Sequence, residues 1–124
     1  MNNNIDGKRK VLTIVITKGP YVSESADIAL KTALKAKKKG YLVNVFLFLD
    51  GVWVSHLKGY KNFNNSGDWL KRVIRKGIIV KMCQRCSNAR DLKMENVIEG
   101  IEIPGSYAFI DLIKNSDKVL TFGG

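Results

Sequence analysis

Two cysteines, Cys83 and Cys86, stand three positions apart in "VKMCQRCSNARD" (80–91), directly after an apolar run and among Lys81, Arg85, Arg90 and Lys93. A Cys-x-x-Cys in such a setting serves as half of a metal site, a redox couple, a reactive thiol with a neighbour, or two buried side chains. A closed structural zinc site takes four Cys, His or carboxylate ligands. This chain offers one such pair and a single histidine, His56, on a different loop. No metal and no cofactor is therefore expected. A thioredoxin-type couple opens a long helix after an early strand, whereas here the pair follows a third strand. Two readings remain open. In one, Arg85, Arg90 and a short helical turn over 87–92 favour the thiolate of Cys83, which can then hold a sulfane sulfur as a persulfide. In the other, Cys83 simply ends a buried strand, because free cysteine is among the most buried residue types.

The elements that must position the pair follow from periodicity. "VLTIVIT" (11–17) is a nearly continuous β-branched run, the pattern of a strand covered on both faces in a parallel sheet. Gly19 and Pro20 stop it. Ser23 or Ser25 can cap the next helix, with Ala26, Ala29, Leu30, Ala33 and Leu34 as its apolar stripe and lysines before Gly40 closing it. "YLVNVFLFLD" (41–50) reads as a second buried strand, and 51–67 as a long irregular loop carrying Trp53, His56, Tyr60 and Phe63. "GDWLKRVIRKG" (67–77) reads as a helix, and "IIVKMC" (78–83) as a third strand that delivers Cys83 at its carboxyl end. A short strand over 101–103 follows, then a helix capped by Ser106 with Ala108, Phe109, Leu112 and Ile113 as its core face. "KVLTF" (118–122) is the last strand.

This alternation predicts a three-layer α/β/α domain with a mostly parallel, doubly wound sheet of about five strands. The domain is expected over 10–124, after a flexible N-terminus at 1–9. Chemistry in such sheets collects beyond the carboxyl ends of the strands. Three loops leave that edge, "TKGPY", "LDGVW" and "MCQRC", so Gly19, Pro20, Tyr21 and Asp50 mark the rim of any site at Cys83. The Gly19-Pro20 turn has two readings: it ends its strand and no more, or with Ser23 and Ser25 it holds an anion at a helix start, although the G-x-G-x-x-G fingerprint is missing. No Walker motif, carboxylate pair or Ser-His-Asp order is present.

At 124 residues and 45% hydrophobic content, one core suffices without disulfide staples. The polar start and the shortness of the longest apolar run argue for a soluble, cytoplasmic protein with no membrane partner. The formal net charge of +10 gathers at "GKRK", "KAKKKG" and "LKRVIRKG". Such clusters attract nucleic acid or acidic proteins, but two of them fall where helices end and offset the macrodipole there.

Taken together, the strand running into "TKGPY", the strand ending in "FLDGVW", Cys83 with a basic residue seven positions on at Arg90, and the terminal "DKVLTF" resemble the DsrE/DsrF-like (DsrEFH/TusD-type) sulfur-relay family over Val11 to Phe122. The resemblance implies an α/β domain that forms homo-oligomers, trimers or hexamers. It also implies a sulfur carrier or sulfurtransferase that takes sulfane sulfur as a persulfide on Cys83 from a donor protein and passes it to an acceptor. A domain of this kind can work without a substrate pocket of its own. Trp53, Tyr60, Phe63 and Trp69 then look like interface material. Two departures stand out: Cys86 is additional, and "NARD" replaces a more basic segment. A second thiol can attack a persulfide on Cys83 and release sulfide, leaving a disulfide. The alternative is a non-catalytic oligomeric binding module whose basic surface holds RNA or an acidic protein.

Overall fold

The computed structural model describes residues 9–20, 24–56, 66–105 and 107–123. Its frame is a sheet of five strands: β1 (Val11–Ile16), β2 (Leu42–Leu47), β3 (Ile79–Met82), β4 (Ile101–Glu102) and β5 (Lys118–Phe122). Their order across the sheet is β4-β3-β2-β1-β5, and every pairing is parallel. The run from β1 to β4 moves one way across the sheet, and the return to β5 crosses back past β1. Right-handed crossovers then place the helices of the two directions on opposite faces. The expected doubly wound α/β architecture is present.

Side-chain alternation divides the sheet. Leu12, Ile14, Ile16, Val43, Val45, Leu47, Val80 and Met82 point to one face and form the main core. Helix α1 (Ser25–Lys38) covers that face with Ala26, Ala29, Leu30, Ala33 and Ala36, and α2 (Ser66–Arg75) with Leu70 and Val73. Four alanines let the α1 backbone approach the strands closely. Complete burial of a Leu or Met side chain such as Leu30, Leu47 or Met82 contributes about 2 kcal/mol each. Residue Glu24 occupies the N-cap position of α1, where no side chain closes the first turn. Ser25 is therefore inside the helix rather than capping it, while Ser23 and Tyr21 lie outside the described residues.

Among the described helices, α4 (Tyr107–Lys114) packs on the opposite face. Its Phe109 ring lies 4.3 Å from Phe46 and 5.1 Å from Phe48, centroid to centroid. None of the described residues of α4 is buried, and Ile113 is 44% exposed. The expected core face is thus only partly realised: Phe109 packs on the sheet, whereas Ile113 faces outward. Ser106, the expected cap, lies outside the described residues.

The carboxyl edge of the sheet differs most from expectation. Strand β2 ends at Leu47, and Leu49–Ser55 winds into a 3-10 helix instead of continuing the strand or forming an irregular loop. The turn is set by Leu49, whose φ is +55°. Residue Gly51 lets the 3-10 helix pass directly over the end of β1: a Cβ there would sit 1.9 Å from the Ile16 carbonyl oxygen. Residues 57–65, with Tyr60 and Phe63, lie outside the described residues. Both tryptophans lean on the protein's own core; Trp69 lies between Lys31 and Arg72, 4.9 and 4.6 Å from its ring centre.

Candidate functional site

The register aligns Ile16, Leu47 and Met82 across three neighbouring strands. The next residue of each, Thr17, Phe48 and Cys83, therefore meets at one rim. Backbone bonds hold that rim: Phe48 N–H donates to the Ile16 carbonyl at 2.9 Å, and Cys83 N–H to the Leu47 carbonyl at 3.0 Å. Because Val80 and Met82 point to the α1/α2 face, alternation turns Cys83 to the α4 face. This is where the sequence placed it, at the carboxyl end of β3.

Cys83 is also the N-cap of a short helix, α3 (Gln84–Ala89). Its sulfur accepts the Cys86 N–H at 3.3 Å, the position an N-cap side chain ordinarily serves. The helix thus starts at the cysteine pair rather than over 87–92 as expected. Ser87 lies inside this helix, and its hydroxyl donates back to the Gln84 carbonyl at 2.9 Å.

The two thiols have distinct surroundings. Cys83 is half-buried and Cys86 is 8% exposed. The Cys86 sulfur accepts the Leu49 N–H at 3.2 Å. Burial pushes the Cys86 thiol up, and its side-chain hydrogen bond with Cys83 and the charge Cys83 can carry push the same way; the Leu49 N–H and Arg90 pull against them. Burial, the largest of these causes, thus favours the protonated form of Cys86.

Arg90 grips Asp50, with Nε at 2.9 Å and Nη2 at 2.8 Å from one carboxylate oxygen, and donates from Nη1 to the Cys86 carbonyl at 3.0 Å. It braces the cysteine turn, and its charge is shared with a carboxylate. Lys81 and Lys93 likewise have carboxylates at 4.0 and 3.7 Å, Glu102 and Asp91. Arg85 is exposed and, among the described residues, has no acidic partner within that range. Gly19 and Pro20 are buried, and a Cβ on Gly19 would meet the Asp50 carbonyl at 3.4 Å, so this turn abuts the 3-10 helix behind the site. His56 stands apart: its ring meets Trp53 edge-on at 5.8 Å and its backbone bridges to Val97. Among the described residues no group of three or more His, Cys, Asp or Glu side chains is placed to hold a metal, and no helix is long and apolar enough to cross a membrane.

What sequence reasoning missed is the space in front of Cys83. A cleft of about 440 Å³ is lined by Phe46, Phe48 and Phe109 together with Cys83, Gln84, Arg85, Asn88, Pro104 and Gly105. Its signal in the sequence was the spacing of Phe46, on β2, and Phe48, the extended residue just after it, which puts both rings on the same side as Cys83.

The chain is 40% identical over 111 residues to the protein MJ0989 of Methanocaldococcus jannaschii, covering 89% of this chain and 97% of that one. To YchN of Escherichia coli strain K12 it is 30% identical over 115 residues, covering 90% and 97%. The crystal structure of Escherichia coli YchN superposes with a TM-score of 0.77 at 28% identity, over 93% of this chain and all of that one. The structure of MTH1491 from Methanobacterium thermoautotrophicum shares the fold, with a TM-score of 0.67 at 12% identity over 91% of this chain and 99% of that chain. The DsrE/DsrF-like family model matches residues 10–122. With a parallel five-stranded sheet, a cysteine at the end of β3 and a match along nearly its whole length, the chain belongs to the DsrE/DsrF-like family.

Proposed function

We propose that the protein is a sulfur carrier or sulfurtransferase of a sulfur relay, with Cys83 as the atom that carries sulfur. The observation that supports this most is the asymmetry of the pair: a half-buried Cys83 opening into a cleft, its sulfur accepting the backbone N–H of a Cys86 whose own thiol is buried. In the loading step the Cys83 thiolate attacks the sulfane sulfur of a donor persulfide. A new S–S bond forms at Cys83, the donor S–S bond breaks, and the donor leaves as a thiolate, with no net oxidation. Unloading reverses this on an acceptor thiol. Cys86 supplies a second exit: its sulfur attacks Cys83 Sγ, the sulfane sulfur leaves as sulfide, and a Cys83–Cys86 disulfide remains for an external dithiol to reduce.

The test is intact-protein mass spectrometry after incubation with polysulfide. One added sulfur atom is expected on Cys86→Ser, one added sulfur giving way to the Cys83–Cys86 disulfide on the wild-type chain, and none on Cys83→Ser. Absence of added sulfur from all three would end the proposal.

Assembly into homo-oligomers belongs to the same reading. The outward side of α4 leaves Tyr107 80%, Ile110 57% and Ile113 44% exposed, an apolar stripe suited to a second copy of the chain. The alternative, a basic binding module, draws on a groove of about 740 Å³ between α1 and the amino ends of β1 and β5, rimmed by Lys10, Lys31, Lys35 and Lys118. RNA binding that weakens steeply with salt and survives Cys83→Ser would favour it.

A further inference from the structure

The cleft at Cys83 has more structure than a protein-to-protein handover needs. A carrier that meets only protein partners requires its sulfur on an open rim. Here the sulfur sits in a recess of about 440 Å³, within the range of small-ligand clefts. One wall is formed by Phe48 and Phe109, with Phe46, only 3% exposed, stacked against Phe109. The Phe109 ring lies nearly parallel to Phe46, 17° between planes, and 30° from Phe48. The other wall is the Pro104–Gly105 turn, where a Cβ on Gly105 would meet nothing within 4 Å. Gln84 and Asn88 supply amide groups at the mouth.

Charge selects further. Among the described residues, Arg85 is the only cation in the lining. The other cations near the pair, Lys81, Arg90 and Lys93, are each matched by a carboxylate, whereas Arg85 has none among the described residues. A flat apolar body against the phenylalanines, an acid group at Arg85 and a sulfur at Cys83 satisfy the three features together.

The geometry points to a small organic thiol, or its persulfide, with a planar apolar body and a carboxylate, as the sulfur acceptor or donor that occupies this cleft. The sulfur part of this assignment rests on the relay reading above; the planar acid part rests on the cleft alone. In the forward step the ligand thiolate attacks the outer sulfur of the Cys83 persulfide. A bond forms between ligand sulfur and sulfane sulfur, and the bond from Cys83 Sγ to the sulfane sulfur breaks. Cys83 leaves with the electron pair, and the proton lost by the ligand thiol passes to solvent or to Cys83. Sulfur moves at constant oxidation state, so no further reactant is required.

Calorimetric titration of the full chain with para-(methylthio)benzoate, whose sulfur is capped, tests the cleft without any transfer. Saturable binding is expected, weakened roughly tenfold when the carboxylate is replaced in para-(methylthio)benzamide. Arg85→Glu should abolish that preference for the acid. No saturable binding, equal binding of acid and amide, or a preference that survives Arg85→Glu would each overturn the assignment. So would exclusion of the probe from the oligomer alone, which would give the cleft to a second copy of the chain. Transfer is then followed with para-mercaptobenzoate on polysulfide-loaded protein, where a saturable rate competed by the capped acid is expected. A transfer rate linear in thiol and indifferent to the capped acid would overturn it. If the capped acid binds but polysulfide never loads Cys83, the relay reading falls and the planar-acid site stands. If sulfur loads but the acid does not bind, the reverse holds.

Discussion

Arg90 holds Asp50 through two nitrogens, at 2.8 and 2.9 Å from the same carboxylate oxygen, across forty positions of sequence. The contact ties the 3-10 helix after β2 to the end of α3. It thereby holds the Leu49 N–H against the Cys86 sulfur.

Breaking that tie should loosen the thiol turn more than it unfolds the chain. Asp50 is largely exposed, so solvent screening keeps the pair's worth near 1 kcal/mol. Arg90→Ala and Asp50→Asn are each expected to lower unfolding free energy in urea by about that amount. Arg90→Lys should not restore it, because an ammonium cannot reach the carboxylate and the Cys86 carbonyl with one planar fork. Restoration by lysine would show that only charge matters here.

Cys86 should decide how long a sulfur stays on Cys83. After loading, wild-type protein is expected to release sulfide and to end as the disulfide, lighter than the dithiol by its two thiol hydrogens. Cys86→Ser should keep the added sulfur for longer under the same conditions. Equal lifetimes in the two proteins would remove Cys86 from the chemistry and leave it a packing residue.

The raised titration of Cys86 predicts a pH profile. Thiolate is the species that iodoacetamide captures, and a raised pKa means a smaller thiolate fraction at neutral pH. Alkylation of Cys86 in the wild-type chain should therefore be slow at neutral pH and reach half its maximum above the ordinary thiol value of 9.0. Since the bond to Cys83 is one of the causes, the midpoint in the Cys83→Ser chain should lie below it. A midpoint under the ordinary value would mean that Leu49 and Arg90 outweigh burial.

The 3-10 helix depends on one glycine. Ala at Gly51 would drive its methyl group into the Ile16 carbonyl, a backbone group that cannot swing aside. A loss of about 3 kcal/mol or more is expected, read as a fall of roughly 10 °C in Tm. Wild-type stability in Gly51→Ala would show that the segment lifts off β1 without cost.

Placing a charge on the outer stripe of α4 tests assembly. Ile110→Glu or Ile113→Glu should leave the fold intact, both side chains being largely exposed, while reducing the mass measured by light scattering to that of a smaller species. An unchanged mass would locate any interface elsewhere.

Much of this frame could be read from residue order. The β-branched run at 11–17 is a buried strand because a parallel strand covered on both faces tolerates no polar alternation, whereas β3 buries Val80 and Met82 and leaves Ile79 49% exposed. The alanine and leucine spacing of α1 marks its buried side, and the expected strand over 118–122 coincides with β5. Cys83 could be placed at the carboxyl edge because a strand's end is a local property. The expected turn over 87–92 fell short for a local reason as well: the cap is a cysteine sulfur, a residue not usually credited with capping, so α3 begins three residues earlier than that turn.

What residue order alone determined, then, was which segments are strands and helices, and that a thiol pair leaves the third strand; periodicity and turn chemistry are encoded within a few neighbouring positions. Only the tertiary structure decided what faces that pair. Phe46, Phe48 and Phe109 meet Cys83, Leu49 meets Cys86, and Asp50 meets Arg90 because β2 lies beside β3 while α4 crosses back over the sheet's other face. Those contacts depend on strand order and on the hand of the crossovers, which are satisfied by the whole chain at once and by no segment of it.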